Sequence, residues 1–167
     1  RVMPTANASP QGIDSSTLIV WALLFLSGLV CVPYQTHMVP FMQDDLGFSV
    51  KDAGDIYAVS GLIGMAGGFL FGILADRTSI RAALIVAYVM LSGAVLLFAT
   101  QNHYATVFIG GFLFGFVFQA IFGLIPAYIS KTVAPDRIVF IFGVGIVMLG
   151  LGSFIGNYLG GWIKESN

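Results

Sequence analysis

Long runs without any Asp, Glu, Lys or Arg alternate with short charged clusters, and the clusters fall where membrane-spanning helices would end. Between Asp14 and Asp44 no residue carries a formal charge, which predicts a first helix over about 17–43. Asp55 and Asp76 bracket a second, near 56–75. From Ala82 to Ser130 there is again no charge. That stretch is too long for one crossing, which takes about 20 residues rising about 1.5 Å each. The polar cluster Thr100-Gln101-Asn102-His103-Tyr104 divides it into helices near 82–99 and 105–130, and a fifth span over 138–163 ends at Lys164-Glu165. The runs lack the alternating polarity of barrel strands, and helices satisfy their own backbone hydrogen bonds in lipid. The expected fold class is therefore an all-α membrane protein with five transmembrane helices.

Composition strengthens this reading. The chain of 167 residues is 57% apolar and 9% charged, with mean hydropathy +0.93. Ordinary soluble domains carry about 25% charged residues, so too little polar surface is present to cover a water-soluble globule. The net charge is −1 without a basic stripe, which speaks against a nucleic-acid partner. Cys31 stands alone inside an apolar run and excludes an internal disulfide. Residues 1–16 form a polar lead or central linker, without the basic start and apolar core of a signal peptide. The first residue is not Met, which is expected of a piece of a longer protein. The sequon Asn7-Ala8-Ser9 falls on the inner side in the topology below and is discounted.

Lys and Arg in short loops set the orientation. Loop 76–81 holds Arg77 and Arg81, and loop 131–137 holds Lys131 and Arg137. The two opposite loops hold only Lys51 beside aspartates 44, 45, 52 and 55. The basic loops are expected in the cytoplasm, with the amino end inside and residue 167 outside. The expected location is the cell membrane, the inner one in a Gram-negative bacterium.

Helices 1–2 and 4–5 echo each other. Gly64, Gly68 and Gly72 recur as Gly152, Gly156 and Gly160, an offset of 88, and Pro40 recurs as Pro126, an offset of 86. An offset of three helices inverts the copy across the membrane, as in the 3+3 halves of many transporters. Such a half has six helices, and the chain is expected to stop before the sixth. Small residues at intervals of four let helix backbones approach in lipid. They recur at Ser60, Gly64, Gly68 and Gly72, at Gly111, Gly115 and Gly123, and at Gly152, Gly156 and Gly160.

Polar residues within spans are the candidates for chemistry, because a buried amide needs partners or water. Gln119 lies midway along its helix inside a glycine ridge, and Asn157 lies between Gly156 and Gly160. Each reads either as an interhelical hydrogen bond or as part of a solute pathway. In Pro33-Tyr34-Gln35-Thr36-His37-Met38-Val39-Pro40, two prolines free backbone carbonyls, and Tyr34 and His37 share a face three residues apart. Histidine is the side chain that ordinarily changes charge near neutral pH. His37 therefore reads either as an interfacial residue bonded to a carbonyl or as a contact for substrate or a transferred proton. No catalytic triad, metal-ligand cluster or phosphate loop is present, so no enzyme activity, metal or cofactor is expected.

Gly72-Ile-Leu-Ala-Asp-Arg-Thr-Ser-Ile-Arg-Ala-Ala-Leu84 resembles the loop signature of the major facilitator superfamily, Gly-x-Leu-Ala-Asp-Arg-x-Gly-basic-basic followed by Leu. It matches at Gly72, Leu74, Ala75, Asp76, Arg77, Arg81 and Leu84, and departs at Ser79 and Ile80. Helix 5 resembles the family's Gly-x-x-x-Gly-Pro-x-x-Gly-Gly element, with Asn157 in place of proline. The resemblance implies a six-helix half of a twelve-helix secondary transporter, here helices seven to eleven. The degenerate loop and the lack of an arginine early in helix 4 favour that second half. It also implies that Gly72, Asp76, Arg77 and Arg81 act as a conformational latch. Tyr34, His37, Gln119 and Asn157 would then line the pathway of a small organic solute moved by alternating access. The stretch 37–49 is similar to bacterial monocarboxylate and oxalate/formate carriers, which implies an organic anion such as a monocarboxylate, carried by symport with protons as the coupling ion. The implied partners are the lipid bilayer, the solute and the missing other half. The alternative is a non-transporting structural or receptor-like membrane module.

Overall fold

The computed structural model describes residues 14–100 and 103–166. Residues 1–13 with the sequon at Asn7, the dividing residues Gln101 and Asn102, and the side chains of Lys164 and Glu165 lie outside the described residues. Among the described residues five helices follow one another: α1 Ser15–Asp44, α2 Val50–Arg77, α3 Ile80–Thr100, α4 Tyr104–Thr132 and α5 Ile138–Ser166. Each contains a stretch long and apolar enough to cross a membrane. Large apolar side chains such as Leu62, Met65, Phe69, Val89, Val139 and Phe154 point outward, as they do when the solvent is lipid rather than water.

One helix end departs clearly from the charge-delimited spans, and the others fall within three residues of them. α2 begins at Val50, six residues before the expected start at 56, because its acidic cluster is the first turn of the helix and not a loop. The Ser49 hydroxyl accepts a hydrogen bond from the Asp52 backbone N–H at 3.0 Å. Lys51 pairs with Asp55 one turn on at 2.7 Å. A capped, ion-paired first turn extends into water without cost. α1 ends in a backbone knot: the N–H groups of Asp45 and Leu46 reach the Phe41 carbonyl, and the Phe48 N–H reaches that of Met42. Gly47 closes this turn with φ of 68°, a conformation that costs a side-chain-bearing residue about 1–2 kcal/mol. Gly47→Ala should therefore lower the thermal midpoint by a few degrees, and an unchanged midpoint would remove the turn from the account.

Two close interfaces organise the bundle. α1 packs along α5 and α2 along α4, while α3 lies against α4. At both interfaces a backbone carbonyl occupies the place where a Cβ would stand. The Leu149 carbonyl lies at Gly28, the Phe25 carbonyl at Gly152 and the Leu29 carbonyl at Gly156 on the α1–α5 side. On the α2–α4 side the Phe116 carbonyl lies at Gly67 and the Ser60 carbonyl at Gly115. Leu29 is four residues before Pro33, so its carbonyl has lost its helical donor. It is accommodated against the bare Gly156 backbone, with the Pro33 ring beside it. The pairs Gly28–Leu149 and Gly115–Ser60 exchange under a shift of 87 to 89 residues, which maps α1 onto α4 and α5 onto α2. The 3+3 inverted repeat is thus visible as one interface built twice.

Few polar groups are enclosed: Thr17, Ser27 and Ser60 are the buried polar residues among those described. Ser27 and Tyr88 share a hydrogen bond of 2.7 Å that clips α1 to α3. The Trp21 indole N–H donates to the Ile141 carbonyl at 3.0 Å and ties α1 to the start of α5. Between α1 and α3 runs an apolar groove lined by Leu23, Leu26, Val30, Tyr88, Leu91 and Val95. It is the flank of α1 that corresponds, under the repeat, to the flank of α4 covered by α3.

Candidate functional site

A cleft of about 90 Å³ opens where α1, α2 and α4 converge. Its floor is Met38 and Phe114, both nearly fully buried. Its polar lining is Gln35 from α1, Tyr57 and Ser60 from α2, and Gln119 from α4, with Phe118 at the edge. Gly61 and Gly115 keep the walls low. The Gln119 stem packs against the open face of Gly64, 2.7 Å from where a Cβ would sit. This holds the amide over the cleft, where no hydrogen bond ties it or the Gln35 amide to a described neighbour. Two uncommitted amides and a phenol facing a small opening form a hydrogen-bonding wall without ionised groups.

Of the expected pathway residues, the structure places Gln119 here and brings it together with Gln35, Tyr57 and Ser60, which sequence reasoning did not single out as pathway residues. Tyr34, His37 and Asn157 lie elsewhere. The Tyr34 ring is stacked 3.9 Å from Phe114 and tilted 4.9 Å from Phe98. It forms a wedge holding α1 to α3 and α4, with its hydroxyl buried and unpartnered. Tyr34 and His37 line a separate cavity of about 250 Å³ with Met38, Phe41 and Phe98. His37 stands two positions from Gln35, so it projects about 200° away around a helix of 3.6 residues per turn. Its ring lies 3.8 Å from where a Cβ on Gly160 would sit, beside α5. The Asn157 amide donates to the Ser153 carbonyl at 2.9 Å on its own helix.

An unpaired buried hydroxyl costs about 1–3 kcal/mol. Tyr34→Phe should therefore leave the fold equally or more stable by up to about 1 kcal/mol, with solute uptake intact. Thermal unfolding and uptake measured together check this, and lost uptake with an unchanged fold would return Tyr34 to the pathway.

The charged loop assembles on the face that also carries the end of α4. Asp76 and Lys131 approach to 3.8 Å with both side chains largely exposed, a pair worth well under about 1 kcal/mol. Arg81 donates through Nε and Nη2 to the Tyr128 hydroxyl at 3.3 and 3.2 Å, and its guanidinium lies 5.7 Å from that ring's centre. Arg77 is exposed at the end of α2. Gly68, Gly72 and Gly123 border a groove of about 220 Å³ between α2 and α4, with Asp76 and Lys131 at its mouth. Nothing lies within 4 Å of the position a Cβ would take on any of the three, so the groove is open to a further element. Among the described residues no group of three or more His, Cys, Asp or Glu converges as a metal site.

Five apolar helices, an inverted repeat and a cleft at the convergence of repeat-related helices define a multi-pass membrane protein with the build of a half-transporter. The chain matches the Major Facilitator Superfamily over residues 20–166 and belongs to that family. It is similar to Solute carrier family 67 member A1 of Homo sapiens, with 27% identity over 155 residues, 87% of this chain and 36% of that protein. It is also similar to Solute carrier family 22 member 18 of Mus musculus, with 27% identity over 159 residues, 93% of this chain and 38% of that protein. The chain thus spans less than two fifths of the length of these relatives.

Proposed function

We propose that this chain is one half of a secondary transporter that moves a small organic solute by alternating access. The observation that carries the reading is the cleft itself. It gathers uncommitted amides from two helices related by the inverted repeat, where transporters of this build place their midplane site. Gln35, Tyr57, Ser60 and Gln119 contribute this half's contacts, and the facing half supplies the opposite wall. The names of the solute-carrier relatives support transport as the activity and a carrier in place of an enzyme. The basic loops face the cytoplasm by the excess of Lys and Arg on that side. A sixth helix seats in the groove between α1 and α3, the counterpart of the place α3 occupies on α4.

The cleft lining bears no Lys or Arg. If the solute is an organic anion such as a monocarboxylate, its counter-charge lies in the other half, and any coupling proton is handled there too. Gly72, Asp76, Arg77 and Arg81 serve as the latch: the glycine groove receives a helix of the opposite half, and Asp76 and Lys131 close over it.

Uptake of labelled solutes into vesicles by the intact protein tests the reading. Asp76→Asn should slow turnover severalfold while solute binding stays within about twofold, because the change touches the closing contact and not the cleft. Unchanged turnover would remove the latch. Absence of uptake across a broad panel by well-folded protein would favour a structural or receptor-like module.

A further inference from the structure

The chemistry of the cleft narrows the class of solute. We infer that this half grips a planar aromatic portion of the solute, with the hydrogen-bonding edge of that portion held by the Gln35 and Gln119 amides. The inference rests on the transport reading and specifies what the site takes.

A continuous chain of aromatic rings runs from the bundle interior past the cleft edge, which it meets at Phe118. Phe98 meets Tyr34 at 4.9 Å, Tyr34 meets Phe114 at 3.9 Å, Phe114 meets Phe118 at 5.3 Å and Phe118 meets Phe122 at 4.9 Å. Phe114 is locked in the core at 2% exposure, whereas Phe118 is only partly covered. Phe118, flanked by Phe114 and Phe122, thus presents the uncovered part of its ring beside the two amides. Tyr57, 43% exposed, adds a second aromatic surface from α2. Complete small-molecule sites measure about 300–1,000 Å³. A cleft of about 90 Å³ therefore accepts one flat portion of a solute and not the whole.

Ring surfaces favour a planar partner at offset or edge-on geometry. Amides are both donors and acceptors and suit a carboxamide, a ring nitrogen or a lactam edge. A carboxylate placed here would be desolvated without a cation on this wall to pair with, which is costly. A saturated ring would fill the same volume but lose the stacking.

Binding of three labelled probes to the intact carrier in nanodiscs of neutral lipid provides the test: nicotinamide, its saturated analogue cyclohexanecarboxamide, and the anion nicotinate. Nicotinamide should bind ~10-fold tighter than cyclohexanecarboxamide, the factor expected for one good aromatic contact, and tighter than nicotinate. Phe118→Leu, which keeps apolar bulk and removes the π face, should abolish that preference. Phe69→Leu, on the outward surface of α2 at 71% exposure, should leave it unchanged. Equal binding of the saturated probe, preference for nicotinate, or no binding of nicotinamide would each overturn the inference. The transport reading is tested apart from any solute by a cysteine at Gly61 in a background free of other cysteines. Labelling from both membrane sides supports alternating access, and labelling from one side alone removes it.

Discussion

Gly115→Ala should separate α2 from α4, cost about 1–3 kcal/mol of stability and abolish uptake. The Ser60 carbonyl oxygen occupies the space an alanine Cβ would need, with the carbonyl carbon at 2.6 Å and Cα at 2.7 Å just behind it. These are backbone atoms and cannot rotate aside as a side chain would. The helices must part, and overpacking of this kind costs about 1–3 kcal/mol. Separation also loosens the reciprocal contact, where the Gly115 carbonyl lies 3.0 Å from the Cβ position on Gly64. Because Ser60 and Gly115 both line the cleft, the same displacement deforms its wall. Gly93→Ala on α3 is the control: nothing lies within 4 Å of its Cβ position, and the helix gains up to about 1 kcal/mol of intrinsic propensity. Thermal unfolding of the two variants side by side decides the matter, and equal midpoints would remove the close-packed interface.

The second large effect is expected at Gln119. Gln119→Leu keeps the stem that packs against Gly64 and deletes the amide over the cleft, so the fold should hold while solute recognition fails. A site built to hydrogen-bond a polar edge leaves the solute's donor or acceptor unpaired when the amide is gone, a loss of about 1–3 kcal/mol. The apparent KM should rise ~10-fold or more, with a smaller change in kcat, and Gln35→Leu should act in the same direction. Initial-rate kinetics in vesicles separate the two parameters. A KM within twofold of wild type would place the solute elsewhere.

The number of helices and the loops between them were legible because ionised residues are confined to membrane edges, and charge-free runs of this length have few other uses. Helix ends were less legible. Charges at 51, 52 and 55 mark the water boundary, but Ser49 caps a helix that starts beyond it. The glycine stripes were only half informative for a geometric reason. Intervals of four trace one ridge of a straight helix, whereas two helices crossing at an angle touch along a row mixing steps of three and four. Thus Gly64 and Gly67 meet α4 while Gly68 and Gly72 face open space, and Gly28, outside any stripe, is among the most tightly packed. In the candidate site, His37 drew attention by its chemistry, yet the cleft receives Gln35 two residues earlier. The face a residue presents depends on which neighbour its helix packs against, and that pairing is a tertiary fact. Tyr57 was hidden for the same reason, three positions before Ser60 on the cleft side of α2.

The repeated interface has a mechanical corollary. α1 with α5, and α2 with α4, are each fused by backbone contact along their length, whereas α1 meets α2 and α4 meets α5 only sparsely. Each fused pair behaves as a stiff blade, and compliance within the half is concentrated in the thin seam between blades. The cleft sits in that seam, so an occupant pressing on its walls acts where the scaffold yields most easily.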